Sequence, residues 1–334
     1  MQVFKRLLPA LFAGIIIVSL TSWGFLVHKT VNQLAIYKLP KGMAGFFYEN
    51  TDYLVNNAPR PDTRRNKDSA EAPKHFIDLE MYGPDAVHTM PMDWNGAVQR
   101  YTSDTLFKYG YVPYQVLYMK EKLTNAFRQG NRDSILFYAA DMGHYIGDAN
   151  VPLHTTANYD GQLTNQRGLH SLWESTTPEL NMDNWNLYSK RKARYLKHPE
   201  KAIWEAVRNG VSLVPALLEM ERTVSKNFTD DQKYRIRTSR GREYKNYSPE
   251  FSKVYAEAVQ GDVNRQLLRS AELIADFWYT SWVDAGRPDL TALIKDQSDA
   301  AREKLNEEKE HYKHNTLIQN KLLLSRNTTS KESE

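Results

Sequence analysis

Apolar residues along this chain recur at three- and four-residue intervals rather than in alternation, and the residues between the runs are those that start and stop helices. One run covers residues 25–39, stops at Pro40 and resumes over 41–57. Residues 58–73, with Pro59, Pro61 and Pro73, read as loop, as does the region of Gly83-Pro84 and Met90-Pro91. Helices are predicted over residues 95–109 and from Pro113, suited to a first turn, to Gly130, suited to a stop. Asn131 caps the next, which Pro152 ends near Asn150. Beyond a helix holding His170, Pro199 and Ser248-Pro249 open two more, the second running to about Trp282 with an apolar face that includes Leu267, Ala271, Ile274 and Trp278. The pattern predicts an all-α fold, and the length allows one large domain or two small ones. A charged tail over 287–334 follows, expected as an exposed helix fraying into disorder. Residues 226–247 interleave Lys233, Arg235, Arg237, Arg240 and Arg242 with Tyr234, Tyr244 and Tyr247, a mixture that can hold phosphate or bases but is expected here as a solvated loop.

The helix after Asn131 departs from the amphipathic rule. Ile135, Ala139, Met142 and Ile146 fall on one face and Phe137 and Ala140 on the other, so it belongs in a core, yet it carries Asp141, His144 and Asp148. Buried carboxylates need a cation, and no lysine or arginine lies between residues 133 and 166. A divalent metal fits. His144 and Asp148 stand one turn apart and can share a face, as can His170 and Glu174, and His154 approaches from the turn after Pro152. One such pair alone is as well explained by an ordinary core; two pairs with a histidine between them point to zinc.

The 334 residues include no cysteine, which excludes disulfides and thiolate zinc sites and leaves imidazole and carboxylate, a set suited to catalytic metal. The formal net charge is +4, or +2 without Lys5 and Arg6, weak grounds for a polyanionic partner. Lys5 and Arg6 open a segment that reads as a secretory signal, with an apolar core over residues 7–20 and Thr21-Ser22 as its exit. Residues 1–22 are therefore expected to be removed and the protein exported, periplasmic or secreted. The alternative is an uncleaved N-terminal membrane anchor, because the apolar run continues uncharged to Val27.

Four strings extend the metal reading: W-G-F-L-V-H at 23–28, K-H-F-I-D at 74–78, H-Y-I-G-D-A-N-V-P-L-H at 144–154 and G-L-H-S-L-W-E at 168–174. In that order they resemble the zinc-dependent phospholipase C and S1/P1 nuclease superfamily, an all-helical group of trinuclear zinc phosphodiesterases. The resemblance covers residues 23 to about 286, implying that they form a single multi-helix domain, and it implies three zinc ions. Asp62, His75 and His144 would hold the first, with Asp148 bridging it to a neighbour. His154, His170 and Glu174 would hold the second, and His28, Asp148 and the free amine and carbonyl of Trp23 the third. The last ligand requires cleavage before Trp23, since an amine binds metal only as a deprotonated terminus. Asp62 and Asp148 are implied as the catalytic carboxylates, around a water whose pKa the metals lower and which Asp62 would orient or deprotonate. Arg60, Arg64 or Arg65 could steady a phosphate oxygen, although a solvated loop face is the expectation for them.

Substrate is divided between the two branches. Glutamate at 174, the Asn158 region and the tryptophan-bearing helix ending at Trp282 resemble the phospholipases. The short spacing from Trp23 to His28 and the string H-F-I-D resemble the nucleases, where the Phe and Asp help hold a base. Phe76, Asp78, Tyr82, Asn158 and Tyr159 follow ligands and are expected to line the entrance. The resemblance thus implies a monomeric phosphodiesterase acting on a phospholipid headgroup ahead of single-stranded nucleic acid, with transient membrane-surface contact and no protein partner implied. A non-catalytic, metal-stabilised binding protein is the competing class.

Overall fold

The computed structural model describes residues 24–239 and 242–327. Helices supply nearly all of the regular structure. In order they are α1 Phe25–Ile36, α2 Lys41–Glu49, α3 Thr51–Asn56, α4 Arg60–Arg65, α5 Ala86–Thr89, α6 Trp94–Tyr101, α7 Ser103–Tyr109, α8 Val112–Arg128, α9 Arg132–Ala149, α10 Leu169–Ser171, α11 Thr177–Asn181, α12 Pro199–Ser225, α13 Asp230–Lys233, α14 Pro249–Asp284, α15 Asp299–Lys313 and α16 Leu324–Asn327. The fold is all-α, as the periodicity predicts. Among the described residues no helix is long and apolar enough to cross a membrane.

α9 is the central element, packed against α1, α8 and α14. Its first turn is capped by the Asn131 side chain, which accepts from Ser134 N at 2.9 Å. It ends at Ala149, and Pro152 then opens a 3-10 turn over Pro152–Thr155. α1 approaches closely because α9 carries glycine at the crossing: a Cβ at Gly143 would lie 2.2 Å from Asn32 Oδ1, and one at Gly147 would lie 3.1 Å from His28 Nδ1. The 36-residue α14, capped by Ser248 and begun by Pro249, forms the longest wall of the core, burying Phe251, Val263, Leu267, Ile274, Phe277 and Trp278.

Several expected boundaries move. The run over 41–57 is divided at Asn50, whose amide back-bonds to Phe46 O and whose Oδ1 is taken by Arg132. The run over 95–109 breaks at Thr102, held at φ 68° with its hydroxyl accepting from Thr105 N. The presumed loop 58–73 contains α4, with Pro61 in its first turn. The expected solvated loop within 226–247 is instead a short helix, α13, and an antiparallel hairpin, β1 Tyr234–Ser239 with β2 Arg242–Tyr247. Its base is tied down by buried Glu221, which receives Lys233 Nζ at 2.6 Å, Gln166 Nε2 at 2.6 Å and the Tyr247 hydroxyl at 3.0 Å.

The tail is helical, but it does not stand clear of the domain. Leu305, Tyr312, Leu317 and Leu323 are buried, Ser325 shares a 2.7 Å hydrogen bond with Thr30 of α1, and Gln33 both donates to Leu322 O and accepts from Leu324 N. Four apolar residues spread over a charged sequence suffice for that docking.

Candidate metal centre

Five stretches of chain converge on Asp148. His144 and Asp148 come from α9, one turn apart; His28 comes from α1 across the glycine crossing; Asp62 comes from α4. His75 follows a 3-10 turn over Ala72–Lys74, and His154 lies in the turn after Pro152. The segment bearing His75 is pinned to residues 109–112 by Asp78 N to Tyr109 O, Tyr111 N to Pro73 O and Val112 N to Phe76 O. Gly110, at φ 85°, makes this possible, for a Cβ there would sit 2.3 Å from Phe76 O. His170 and Glu174 share one helical stretch in which residues Leu172–Thr176 form a π turn, a widening common where side chains must be re-aimed at a site.

The ligand candidates form three groups: Asp62, His75 and His144; His28, His144 and Asp148; and His154, His170 and Glu174. His28, His144, Asp148 and Glu174 are fully buried. Separations within the groups include His144 Nε2 to His75 Nδ1 at 3.0 Å, to Asp148 Oδ2 at 3.2 Å and to Asp62 Oδ1 at 3.6 Å. His154 Nε2 lies 3.3 Å from His170 Nε2 and 3.5 Å from Glu174 Oε2. His28 Nε2 is 3.5 Å from Asp148 Oδ1, with its ring stacked on His144 at 3.8 Å. Ligands on a tetrahedral zinc at about 2.0–2.1 Å stand roughly 3.3–3.4 Å apart.

The proton positions decide what these contacts are. His144 Nδ1 faces Ala58 O at 3.0 Å, His154 Nδ1 faces His75 O at 2.7 Å, and His170 Nδ1 faces Tyr159 O at 2.9 Å. A carbonyl only accepts, so each Nδ1 carries a proton and each ring turns its Nε2 inward. His154 and His170 thus turn their Nε2 atoms toward each other and toward Glu174. Both oxygens of Asp62 and of Glu174, and Oδ1 of Asp148, are buried without a hydrogen-bond donor. Carboxylates converging in a buried core require positive charge among them, and the donor set of imidazole and carboxylate fits zinc.

Burial alone would lower His144 and His170, but Asp148 and Asp62 push the first, and Glu174 the second, up to about 9, so the carboxylates draw positive charge into the core. Burial pushes the His28 imidazole well below its ordinary pKa, with His144 adding to the effect, so it is neutral. Burial would raise Asp148, but His144, His154 and His75 hold it well below the usual carboxylate range, and it is ionised. Burial dominates at Asp62 and raises it.

Trp23 lies outside the described residues. Of the expected entrance residues, Tyr82 is buried with its hydroxyl donated to Gly110 O at 2.5 Å. Asn158 is buried too, accepting from Leu163 N and donating to Thr164 Oγ1. Both hold loops together. Phe76 and Asp78 are partly buried, and Tyr159 is exposed beside His170.

One reading from the sequence is corrected. Asp141 does not face metal: its cations are Arg60 and Arg64, brought from α4, and these arginines, partly exposed, are tied to α9 by that carboxylate. Arg65 alone of the three stands near the first group's carboxylate, 3.6 Å from Asp62 Oδ1. Two further residues were not singled out in the sequence. Glu71 faces His75 Nε2 at 3.7 Å, and Asp160 Oδ1 accepts from Gly168 N at 3.0 Å and His170 N at 3.4 Å, anchoring the loop before His170.

No family model matches the chain and no curated protein matches it. Among solved structures it is similar to the alpha toxin from Clostridium absonum, with 13% identity and a TM-score of 0.46 over 79% of this chain and 64% of the toxin chain. The chain spans less than two thirds of that protein's length, and a likeness of this extent does not bear on what the chain does.

Proposed function

We propose that the protein is an exported, zinc-dependent phosphoric diester hydrolase of the phospholipase C type, with Trp23 as its mature N-terminus. What carries the reading is the set of three imidazoles held at Nδ1 by carbonyls, their Nε2 atoms aimed at buried carboxylates. Asp62, His75 and His144 would hold one zinc, His154, His170 and Glu174 a second, and His28 with Asp148 and the Trp23 terminus a third. Zinc at these positions supplies a lowered pKa for water and a Lewis acid for phosphate oxygens.

The chain's own residues do the rest. Asp148 brings one full negative charge to the meeting point of the groups and holds His75, His28 and His144 around it. Asp62, besides holding metal, would orient or deprotonate an attacking water. Arg65, partly exposed beside it, would meet a phosphate oxygen. The lipid branch is favoured by Glu174 and by exposed Tyr159 and Leu163 in the loop leading to His170, apolar side chains suited to an interfacial substrate.

Mature protein should carry close to three zinc ions per chain by metal analysis, and should hydrolyse bis(p-nitrophenyl) phosphate in a manner abolished by chelator and restored by zinc. One ion or none in folded protein would defeat the proposal. Assayed side by side, phosphatidylcholine should be cleaved; cleavage of single-stranded DNA or RNA without any of phospholipid would replace the lipid branch by the nuclease branch, in which Phe76 and Asp78 hold a base.

A further inference from the structure

We propose that Asp141 is a positioning residue for the first ligand group, acting through Arg60 and Arg64 to fix α4, and with it Asp62, against the face of α9 that carries His144 and Asp148. The proposal rests on the metal reading above.

Asp141 is 1% exposed and lies three residues before His144. It accepts from Arg60 Nε at 3.0 Å and Nη2 at 2.5 Å, and from Arg64 Nη2 at 2.7 Å. Arg60 also donates to Phe137 O at 3.0 Å and lies over the Phe137 ring at 4.0 Å, so its plane is held from two directions. Arg64 continues the network to Glu71 Oε1 at 3.2 Å and to the Tyr145 hydroxyl at 3.1 Å. Glu71 receives the Tyr145 hydroxyl and Lys74 Nζ, the latter at 2.7 Å, and faces His75 Nε2.

Every element that supplies the first group therefore touches this network: α4 through Arg60 and Arg64, α9 through Asp141 and Tyr145, and the His75 turn through Glu71 and Lys74. α4 has six residues, too few to be a stable helix by itself. Its two arginines flank Asp62 in sequence, and their common carboxylate sits on the helix whose histidine Asp62 must meet. Ligand atoms have to be placed to within about 0.5 Å, and outer-shell partners that do so are typically worth about 10–100-fold in metal affinity.

The test compares Asp141→Asn with Asp276→Asn. Asp276 is an equally buried aspartate on α14, bound by Arg191 and by Arg194 N, and its loss destabilises the fold without touching the ligand groups. At a buffered free zinc concentration that saturates the wild type, Asp141→Asn should lose the first-group ion, with affinity reduced about 10–100-fold. Its cobalt-loaded form should lose the absorption bands that His75→Ala removes. Asp276→Asn should keep full zinc while its unfolding midpoint falls. Should Asp141→Asn fail to fold, Arg60→Lys, which keeps the charge and loses the fork, should show the same selective loss to a smaller degree. Wild-type zinc affinity in these variants, or equal zinc loss in Asp276→Asn, would overturn the proposal. A wild type that binds no zinc would overturn the metal reading beneath it, an outcome visible before any variant is made.

Discussion

Asp78, three residues beyond His75, has its carboxyl pushed up to about 7 by burial, with a contribution from nearby Glu80. A raised carboxylate pKa means that the folded state holds a proton the unfolded chain has already released. Stability from this group is therefore present below the unfolded value near 4, falls as pH rises from about 4 to about 7, and is level above that. Asp78→Asn should raise the free energy of unfolding by ~1–2 kcal/mol at pH 8 and change it little at pH 4, measured by urea denaturation at both pH values. An equal effect at the two pH values would show that the proton is not the cause. At this scale the sequence was informative about histidines and less so about their partners. His144 and Asp148 announce themselves by spacing, but the need of Asp141, in the same helix, for a cation was met with metal because its arginines lie some 80 residues away. The available signal was Arg60 and Arg64, one turn apart in a segment read as loop.

Between elements, the approach of α1 to α9 depends on a missing side chain. Gly143→Ala would drive a methyl into the Asn32 amide at 2.2 Å, and α1 would have to move away, taking His28 with it. The expected cost is about 1–3 kcal/mol of stability, with loss of the one ion that His28 is proposed to hold. Calorimetry paired with metal analysis checks both, and a destabilised variant with full zinc would dissociate His28 placement from the crossing. The hairpin offers a second case. Glu221→Ala leaves Lys233 without its buried partner and should cost about 3–5 kcal/mol, read from chemical denaturation. The helices were legible because caps and prolines punctuate them: Asn131, Pro152 and Ser248-Pro249 all fall at observed ends. The hairpin was not legible, because its stability comes from contacts with Glu221 and Gln166 that no local pattern announces.

Over the whole molecule, the C-terminal segment belongs to the domain. Its composition is that of an exposed tail, and only the spacing of Leu305, Tyr312, Leu317 and Leu323 betrays the docked face. A chain ending at residue 297 should lose on the order of 5 kcal/mol of stability or fail to accumulate, since it uncovers the side of α1 opposite the ligand face. A truncated chain as stable as the full one would return the segment to the role of a tail.

His144 belongs to two of the ligand groups, and Asp148 reaches members of all three, whereas His154, His170 and Glu174 are shared with no other group. An ion leaving one of the two linked groups changes the charge and the geometry that its neighbour depends on, while the separate group keeps its own ligands. If three ions are held as proposed, stripping by a chelator should accordingly run in two kinetic phases, one ion departing on its own timetable and the other two together. Partly stripped protein would then be a mixture of a few discrete species rather than a smear of intermediate occupancies.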